Sequence, residues 1–281
     1  MTPGPALVAL RCRTSDRSDA PVRGVDLLAQ RLARGLRAPA RPIGSPSAPR
    51  IAGWEDDLAD ARGCLMEAGG QVDDALEAGA LPVLLAGECA IALGTLPVVA
   101  RRRPDVRILW LDGHADFNTP SSTPSGYLSG MSLSGACGQW ETGFAGGVPP
   151  ERVVLCGVRD VDEAERGLLE RSEVTAIGAS LETLVATQNA LDRAPVYVHL
   201  DLDVIDPDAF PAEFPAPRGL TPEKLYDLLE AVASECELVG LEITSFAAPA
   251  DELEAAAAAD TAARAVEPLL DAAASGAHAV R

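Results

Sequence analysis

The sequence predicts an α/β fold of three layers, with helices covering both faces of a mostly parallel central sheet. Short β-branched runs alternate with longer Ala/Leu-rich stretches along 281 residues, and the connections between them are short. Hydrophobic residues make up 47% of the chain but aromatic ones only 4%, so the core is built from Ala, Val, Leu and Ile, as a helix-covered sheet requires. No internal repeat or interdomain linker is visible, and a single domain over residues 1–281 is expected.

The elements follow in order. A strand over Ala6–Arg11 leads to a helical pattern over Gly24–Leu36, and a Pro/Ser loop runs from Pro39 to Pro49. Helical periodicity from Trp54 to Ala78 precedes the apolar strand Leu81–Ala86 and a helix ending near Arg101–Arg103, where positive charge complements the helix dipole. Strand Val106–Leu111 is followed by a long Gly/Ser/Pro/Thr loop. Next come strand Arg152–Gly157, helix Val161–Arg171, strand Val174–Gly178 and helix Leu181–Leu191. Strand Pro195–Leu200, a Pro-rich loop over Asp206–Arg218, helix Thr221–Ser234 with its Thr-Pro-Glu start, and strand Glu237–Ile243 complete the sheet. An Ala-rich helix from Asp251 to about Ala274 closes the chain. In such sheets ligands sit beyond the carboxyl ends of the strands, so chemistry is expected in the loops after Ala86, Leu111, Leu200 and Ile243.

Charge excludes several functions. With 23 Lys+Arg against 42 Asp+Glu the formal charge is −19, which repels nucleic-acid phosphates and anionic membranes. Lys224 is the single lysine, so a Walker-type loop and a Schiff-base lysine both lack a candidate. The apolar runs are strand-length rather than membrane-spanning, and the start does not read as a signal peptide, so a cytoplasmic protein is expected. The six cysteines lie far apart without a Cys-x-x-Cys pair, and each is expected to be a small buried hydrophobe, with Cys89 a special case.

Two acidic motifs carry the chemistry. Asp112-Gly-His114-Ala-Asp116 follows an apolar strand directly, and Asp201-Leu-Asp203 follows another, with Asp206-Pro207 beyond. An extended backbone would point alternate side chains the same way. A single such cluster could be a solvated loop or an N-cap, but two at matching strand ends converge on one sheet edge. Carboxylates with one imidazole suit hard to borderline divalent ions, and four aspartates so placed would repel one another without cations.

Asp-x-His-x-Asp followed by Asp-x-Asp-x-x-Asp-Pro resembles the ureohydrolase family of arginases, agmatinases and their relatives, over most of the chain from about Leu81 onward. The resemblance implies an arginase-like α/β/α fold, assembly as a trimer or hexamer, and two divalent metal ions, manganese by family habit. It implies that Asp112 and Asp201 bridge the metals, that His114 and Asp203 complete one of them, and that Asp116 binds the other and orients the attacking water. Asn118-Thr-Pro-Ser-Ser-Thr-Pro-Ser125 resembles the arginase loop that grips an α-carboxylate. In Arg159-Asp160-Val161-Asp162, the second aspartate matches the group that receives an α-amino group. Asn118, Ser125 and Asp162 are therefore the implied substrate-binding residues, and a small amino acid the implied substrate.

Three departures from the family pattern stand out. Cys89, in Ala86-Gly-Glu88-Cys89, occupies the place of a metal-binding histidine; it is either a thiolate ligand or a packed thiol, and Glu88 beside it either a supporting group or a ligand itself. Ser129 stands where arginases have a histidine proton shuttle, and Tyr127 replaces an asparagine. Ser245 stands where a glutamate pairs with the guanidinium, while Glu242 keeps the preceding acidic position. Each loss removes a group that handles a strongly basic guanidinium or its amine product. The pattern resembles the Nω-hydroxy-L-arginine amidinohydrolase branch, whose less basic hydroxyguanidine needs these groups less. Two alternatives remain: hydrolysis of another guanidino or formimino substrate, and a metal-binding family member with a regulatory role. His199 is expected to be a buried imidazole or a supporting donor rather than a ligand.

Overall fold

A computed structural model of the chain describes residues 4–144 and 146–274. His278 and the other flanking positions lie outside the described residues. The eight strands are β1 (Ala6–Leu10), β2 (Arg41–Ile43), β3 (Pro82–Leu85), β4 (Arg107–Leu111), β5 (Val153–Val158), β6 (Thr175–Gly178), β7 (Val196–Asp201) and β8 (Leu238–Thr244). They form one sheet in the order β2-β1-β3-β8-β7-β4-β5-β6, and every pairing is parallel.

Period-two alternation sorts the strand side chains onto two faces. Leu7, Ala9, Val83, Leu85, Leu109, Val198 and Leu200 pack with Val25, Leu28 and Leu32 of α1 (Ala20–Leu36) and with buried residues of α7 (Pro222–Glu235) and α8 (Glu252–Ala265). Val8, Leu10, Leu84, Ile108, Trp110, Val153 and Leu155 face the other way, onto α2 (Trp54–Glu77) and α3 (Ala92–Arg102). The strands are apolar on both faces because helices cover both, as the sequence reading required. Helices α4 (Ser132–Ala136), α5 (Glu163–Arg171) and α6 (Thr183–Leu191) complete the layers. Among the described residues no helix is long and apolar enough to cross a membrane.

Several expectations are corrected. The Pro39–Pro49 loop contains the short edge strand β2, which pairs with β1 through Val8 to Leu10; three residues with Pro42 in the middle carry no alternation signal. The single helix expected to about Ala274 is two, because the chain breaks at Val266 before α9 (Glu267–Ala274), whose second residue is Pro268. Cys12 and Cys64 are not packed thiols but are joined in a disulfide across 52 residues of sequence, a pairing that their spacing does not announce. Cys137 and Cys156 are buried and free, as expected; Cys89 is also buried and free, and Cys236 is free but only half-buried, contrary to the expectation.

Helices α2 and α3 approach closely because both present glycine at the crossing. A Cβ at Gly94 would lie 2.1 Å from the Leu65 carbonyl oxygen, and one at Gly69 would lie 2.5 Å from the Gly94 carbonyl oxygen. Gly94→Ala is therefore expected to destabilise the protein by about 1–3 kcal/mol by overpacking, which outweighs a helix-propensity gain of about 0.5–1 kcal/mol. Urea denaturation measures this, and an unchanged or raised midpoint would contradict the packing argument.

Candidate metal centre

Four adjacent strands, β3, β8, β7 and β4, end side by side, and the segments that leave them carry the acidic motifs. Asp112 follows β4 immediately, Asp201 is the last residue of β7, and Cys89 opens a short 3₁₀ turn after β3. Their side chains, with those of Asp116 and Asp203, are almost fully buried. Ligand-capable atoms of Cys89, Asp112 and Asp116 lie within 4.8 Å of one another, and so do those of Asp112, His114 and Asp203. The two groups share Asp112. Asp201 stands at their edge, its Oδ2 accepting from Cys89 Sγ at 2.8 Å and from Ser245 Oγ at 2.5 Å.

Local hydrogen bonds fix the motif. Asp112 accepts from the His114 amide at 2.6 Å and from Trp110 Nε1 at 2.9 Å. Asp203 accepts from the Gly113 amide at 2.8 Å and meets His114 Nδ1 at 2.7 Å, while the Asp203 amide donates to Asp201 Oδ1 at 2.7 Å. The segment is not a simple extension of β4, as alternation alone would have it. The chain bends at Gly113, and Asp116 adopts a left-handed φ of 48°. Its carbonyl oxygen accepts from the amides of Leu133 and Ser134 at the start of α4, which holds that uncommon backbone in place. Ser245, at φ 64°, is the second left-handed residue beside the centre.

Cys89 is also the end of a buried chain. His199 Nε2 lies 3.2 Å from Cys89 Sγ, and His199 Nδ1 lies 2.6 Å from Glu242 Oε1. Glu242 Oε2 accepts from Thr95 Oγ1 at 2.7 Å and Tyr197 at 3.0 Å. The His199 ring stacks on Trp110 at 3.6 Å. Both ring nitrogens are thus occupied, so His199 supports Cys89 rather than offering an open ligand atom, as the sequence reading expected.

The donor set suits divalent cations, because four buried carboxyls face a single imidazole. Burial, and then the charge of Asp112, raise the carboxyl pKa of Asp116 and Asp201; Asp203 is raised by burial and by Asp201. Burial and the charge of Asp201 push the Cys89 thiol up. Burial opposes a charged His114, but the hydrogen bonds it donates to Asp112 and Asp203 outweigh it and hold the imidazole up at about 12. Burial likewise opposes the Asp112 charge, but the His114 hydrogen bond prevails and lowers its pKa. In the metal-free protein, therefore, protons and His114 supply the neutralisation that a cation would supply.

A cleft of about 240 Å³ leads to the centre. Asn118, Ser125 and Asp162 all line it together with Glu88, Cys89, His114, Asp116, Tyr127, Ser129, Asp201 and Asp203. Asn118 Nδ2 donates to Asp162 Oδ2 at 3.0 Å, and Ser125 lies on the exposed rim. Ser129 meets Ser15 at 2.7 Å. Sequence reasoning assigned no role to Glu165, yet it ties the two substrate loops together, accepting from the amides of Phe117 at 2.8 Å and Asp162 at 3.2 Å. The signal was its place three residues after an N-cap aspartate, the spacing of a capping box. Arg17 and Phe214, which also line the cleft and flank Tyr127, come from segments without a readable motif.

A profile described as the arginase family matches residues 12–270. The N(omega)-hydroxy-L-arginine amidinohydrolase of Streptomyces lavendulae is 37% identical over 268 residues, covering 95% of this chain and 98% of that protein. The solved structure of the Bacillus caldovelox arginase matches with a TM-score of 0.78 at 24% identity, covering 95% of this chain and 98% of that one. The Entamoeba histolytica arginase in complex with L-ornithine matches with a TM-score of 0.81 at 20% identity over 93% and 97%. These two structures are similar in fold.

The pKa directions set a pH prediction. Asp116, Asp201, Asp203, Cys89 and His114 all have folded pKa values above their unfolded ones, so the folded chain binds the more protons and its stability falls as pH rises. Among the groups of the centre only Asp112 opposes this, and the lowered carboxyls elsewhere, such as Asp73 and Asp105, act below this pH range. For the carboxyls the loss begins near their unfolded value of about 4, and for His114 near about 6.5. In chelator the melting temperature should thus decline from about pH 5 to 8, and added Mn²⁺ should raise it most at the alkaline end. A metal-free melting temperature that climbs to pH 8 would refute the charge assignment.

Proposed function

Because this chain belongs to the arginase family, a family of metal-dependent hydrolases, we propose that it cleaves the guanidine C–N bond of an arginine-like amino acid, with Nω-hydroxy-L-arginine preferred to arginine and hydroxyurea and ornithine as products. The observation that carries the reading is the pair of ligand groups sharing Asp112 beneath a cleft lined by Asn118, Ser125 and Asp162.

In this reading Asp112 and Asp201 would be common to two cations, His114 and Asp203 would complete the donor set for one, and Cys89 and Asp116 that for the other. When bound, a pair of divalent cations lowers the pKa of a water enough to provide a nucleophile at neutral pH. The carboxylate-rich set favours manganese, and the Cys89 thiolate makes one position softer than imidazole would. His199, held by Glu242 and stacked on Trp110, fixes the sulfur's place. Asp116 orients the attacking water. Asn118 and Ser125 receive the α-carboxylate and Asp162 the α-amino group, and Glu165 keeps the two loops in register. Ser129 cannot serve as a general acid near neutral pH, so the departing ornithine amine, the same leaving group for arginine and hydroxyarginine, would take its proton from the attacking water rather than from Ser129. A homo-oligomer, trimer or hexamer, and a cytoplasmic setting belong to the same proposal, and the acidic surface fits neither nucleic acid nor anionic membrane partners.

Two experiments test this. Asp162→Asn keeps an N-cap for α5 but removes the charge, so kcat/KM for hydroxyarginine should fall about 10- to 100-fold, the value of a charge-assisted hydrogen bond. Wild-type enzyme that turned over agmatine or guanidinobutyrate as well as the amino acids would remove the basis for the clamp. In metal analysis, Cys89→Ala should lose one cation per chain and Asp112→Ala both. Full content in either variant would reject that ligand.

A further inference from the structure

One buried acid at the centre has no task in the account above. Glu88 is 1% exposed and lines the cleft, and its Oε1 makes no hydrogen bond. It is outside both ligand groups. Next to it, a Cβ on Gly87 would fall 2.0 Å from Asp16 Oδ1, so the Asp16 carboxylate packs directly on this backbone. Asp16 is also 1% exposed, and its Oδ1 likewise lacks a partner. The nearby Arg13 is committed elsewhere, its Nε donating to the Asp16 carbonyl at 2.8 Å and its guanidinium pairing with Asp57 at 2.7 Å. Among the described residues neither Glu88 nor Asp16 forms a salt bridge.

Ser245, in contrast, cannot receive a substrate head group. Its hydroxyl is spent on Asp201 at 2.5 Å, and it does not line the cleft. A buried carboxylate oxygen left without a donor is costly, and such groups persist where a ligand supplies the missing hydrogen bonds. A guanidine-type head offers N–H donors, and a hydroxyguanidine an O–H as well, in a plane that matches a carboxylate. We propose that Glu88 is a specificity-determining residue, which accepts hydrogen bonds from the N–H and N–O–H edge of the substrate's head group. This rests on the amino-acid guanidine reading above. Tyr127, held between Arg17 at 4.3 Å and Phe214 at 5.0 Å, stands beside it, and its buried hydroxyl, which also makes no formed hydrogen bond, is near enough to Glu88 to be the protein's own donor to one carboxyl oxygen, leaving the other for the head group.

The test compares wild type, Glu88→Gln and Glu88→Asp in the Mn²⁺-loaded enzyme through three readouts: kcat/KM for hydroxyarginine, the inhibition constant of ornithine, which lacks the head group, and metal content. Glu88→Gln should lower kcat/KM about 10- to 100-fold, leave the ornithine constant within about twofold, and retain full metal. Glu88→Asp should recover part of the loss. The melting temperature of Glu88→Gln should not fall, since an unpaired buried carboxyl is removed. If wild type is active and Glu88→Gln matches it, the assignment is wrong while the functional reading stands. Loss of metal, or an equal loss of ornithine binding, would also overturn it by showing a positioning role. A metal-loaded wild type inactive on hydroxyarginine and arginine would overturn the functional reading and this assignment together.

Discussion

Four aspartates buried at the ends of neighbouring parallel strands are the constraint around which the rest of this molecule is arranged. Two like charges about 4 Å apart repel by roughly 4 kcal/mol at an effective dielectric of 20. Asp112, Asp116, Asp201 and Asp203 can therefore coexist only with compensation. His114, hydrogen-bonded to Asp203 and close to Asp112, provides part of it, and the protons held by the raised carboxyls provide more. Cations can displace both. The sheet makes the crowding possible, because β4, β7, β8 and β3 are adjacent and parallel and so deliver their carboxyl ends to one line.

The support around the aspartates is built to hold them without diluting their charge. Trp110 contributes twice, donating from Nε1 to Asp112 and stacking its ring on His199. The chain from Thr95 and Tyr197 through Glu242 and His199 ends at Cys89, so residues of β7, β8 and α3 set the place of one sulfur. Left-handed backbone at Asp116 and Ser245 turns the chain away after each has reached the centre. On the substrate side, Glu165 joins the segment after Asp116 to the N-terminus of α5, which links the geometry of the centre to that of the rim.

Most of the sheet was legible in the sequence because its strands are covered on both faces and read as continuous apolar runs. Leu81–Ala86 and Val106–Leu111 are such cases, each placed within a residue or two of β3 and β4. The edge strand β2 was not, since three residues with a central proline have no period to detect. The acidic motifs were legible as chemistry because two of them sat at strand ends. What was hidden is what depends on tertiary approach: the Cys12–Cys64 disulfide, the bend that brings Asp116 back to Asp112, the partners of Glu242, and the isolation of Glu88 beside Asp16. Sequence spacing shows which groups share an edge, and only the fold shows which of them are already satisfied.

In the proposed function this acidic cluster would hold two divalent cations that have Asp112 in common. Anomalous diffraction at the manganese edge from crystals of the Mn²⁺-loaded protein tests it most directly. The account predicts two peaks per chain, both in contact with the Asp112 carboxylate, one beside His114 and Asp203 and the other beside Cys89 and Asp116. A single peak, or two peaks that do not share Asp112, would contradict it.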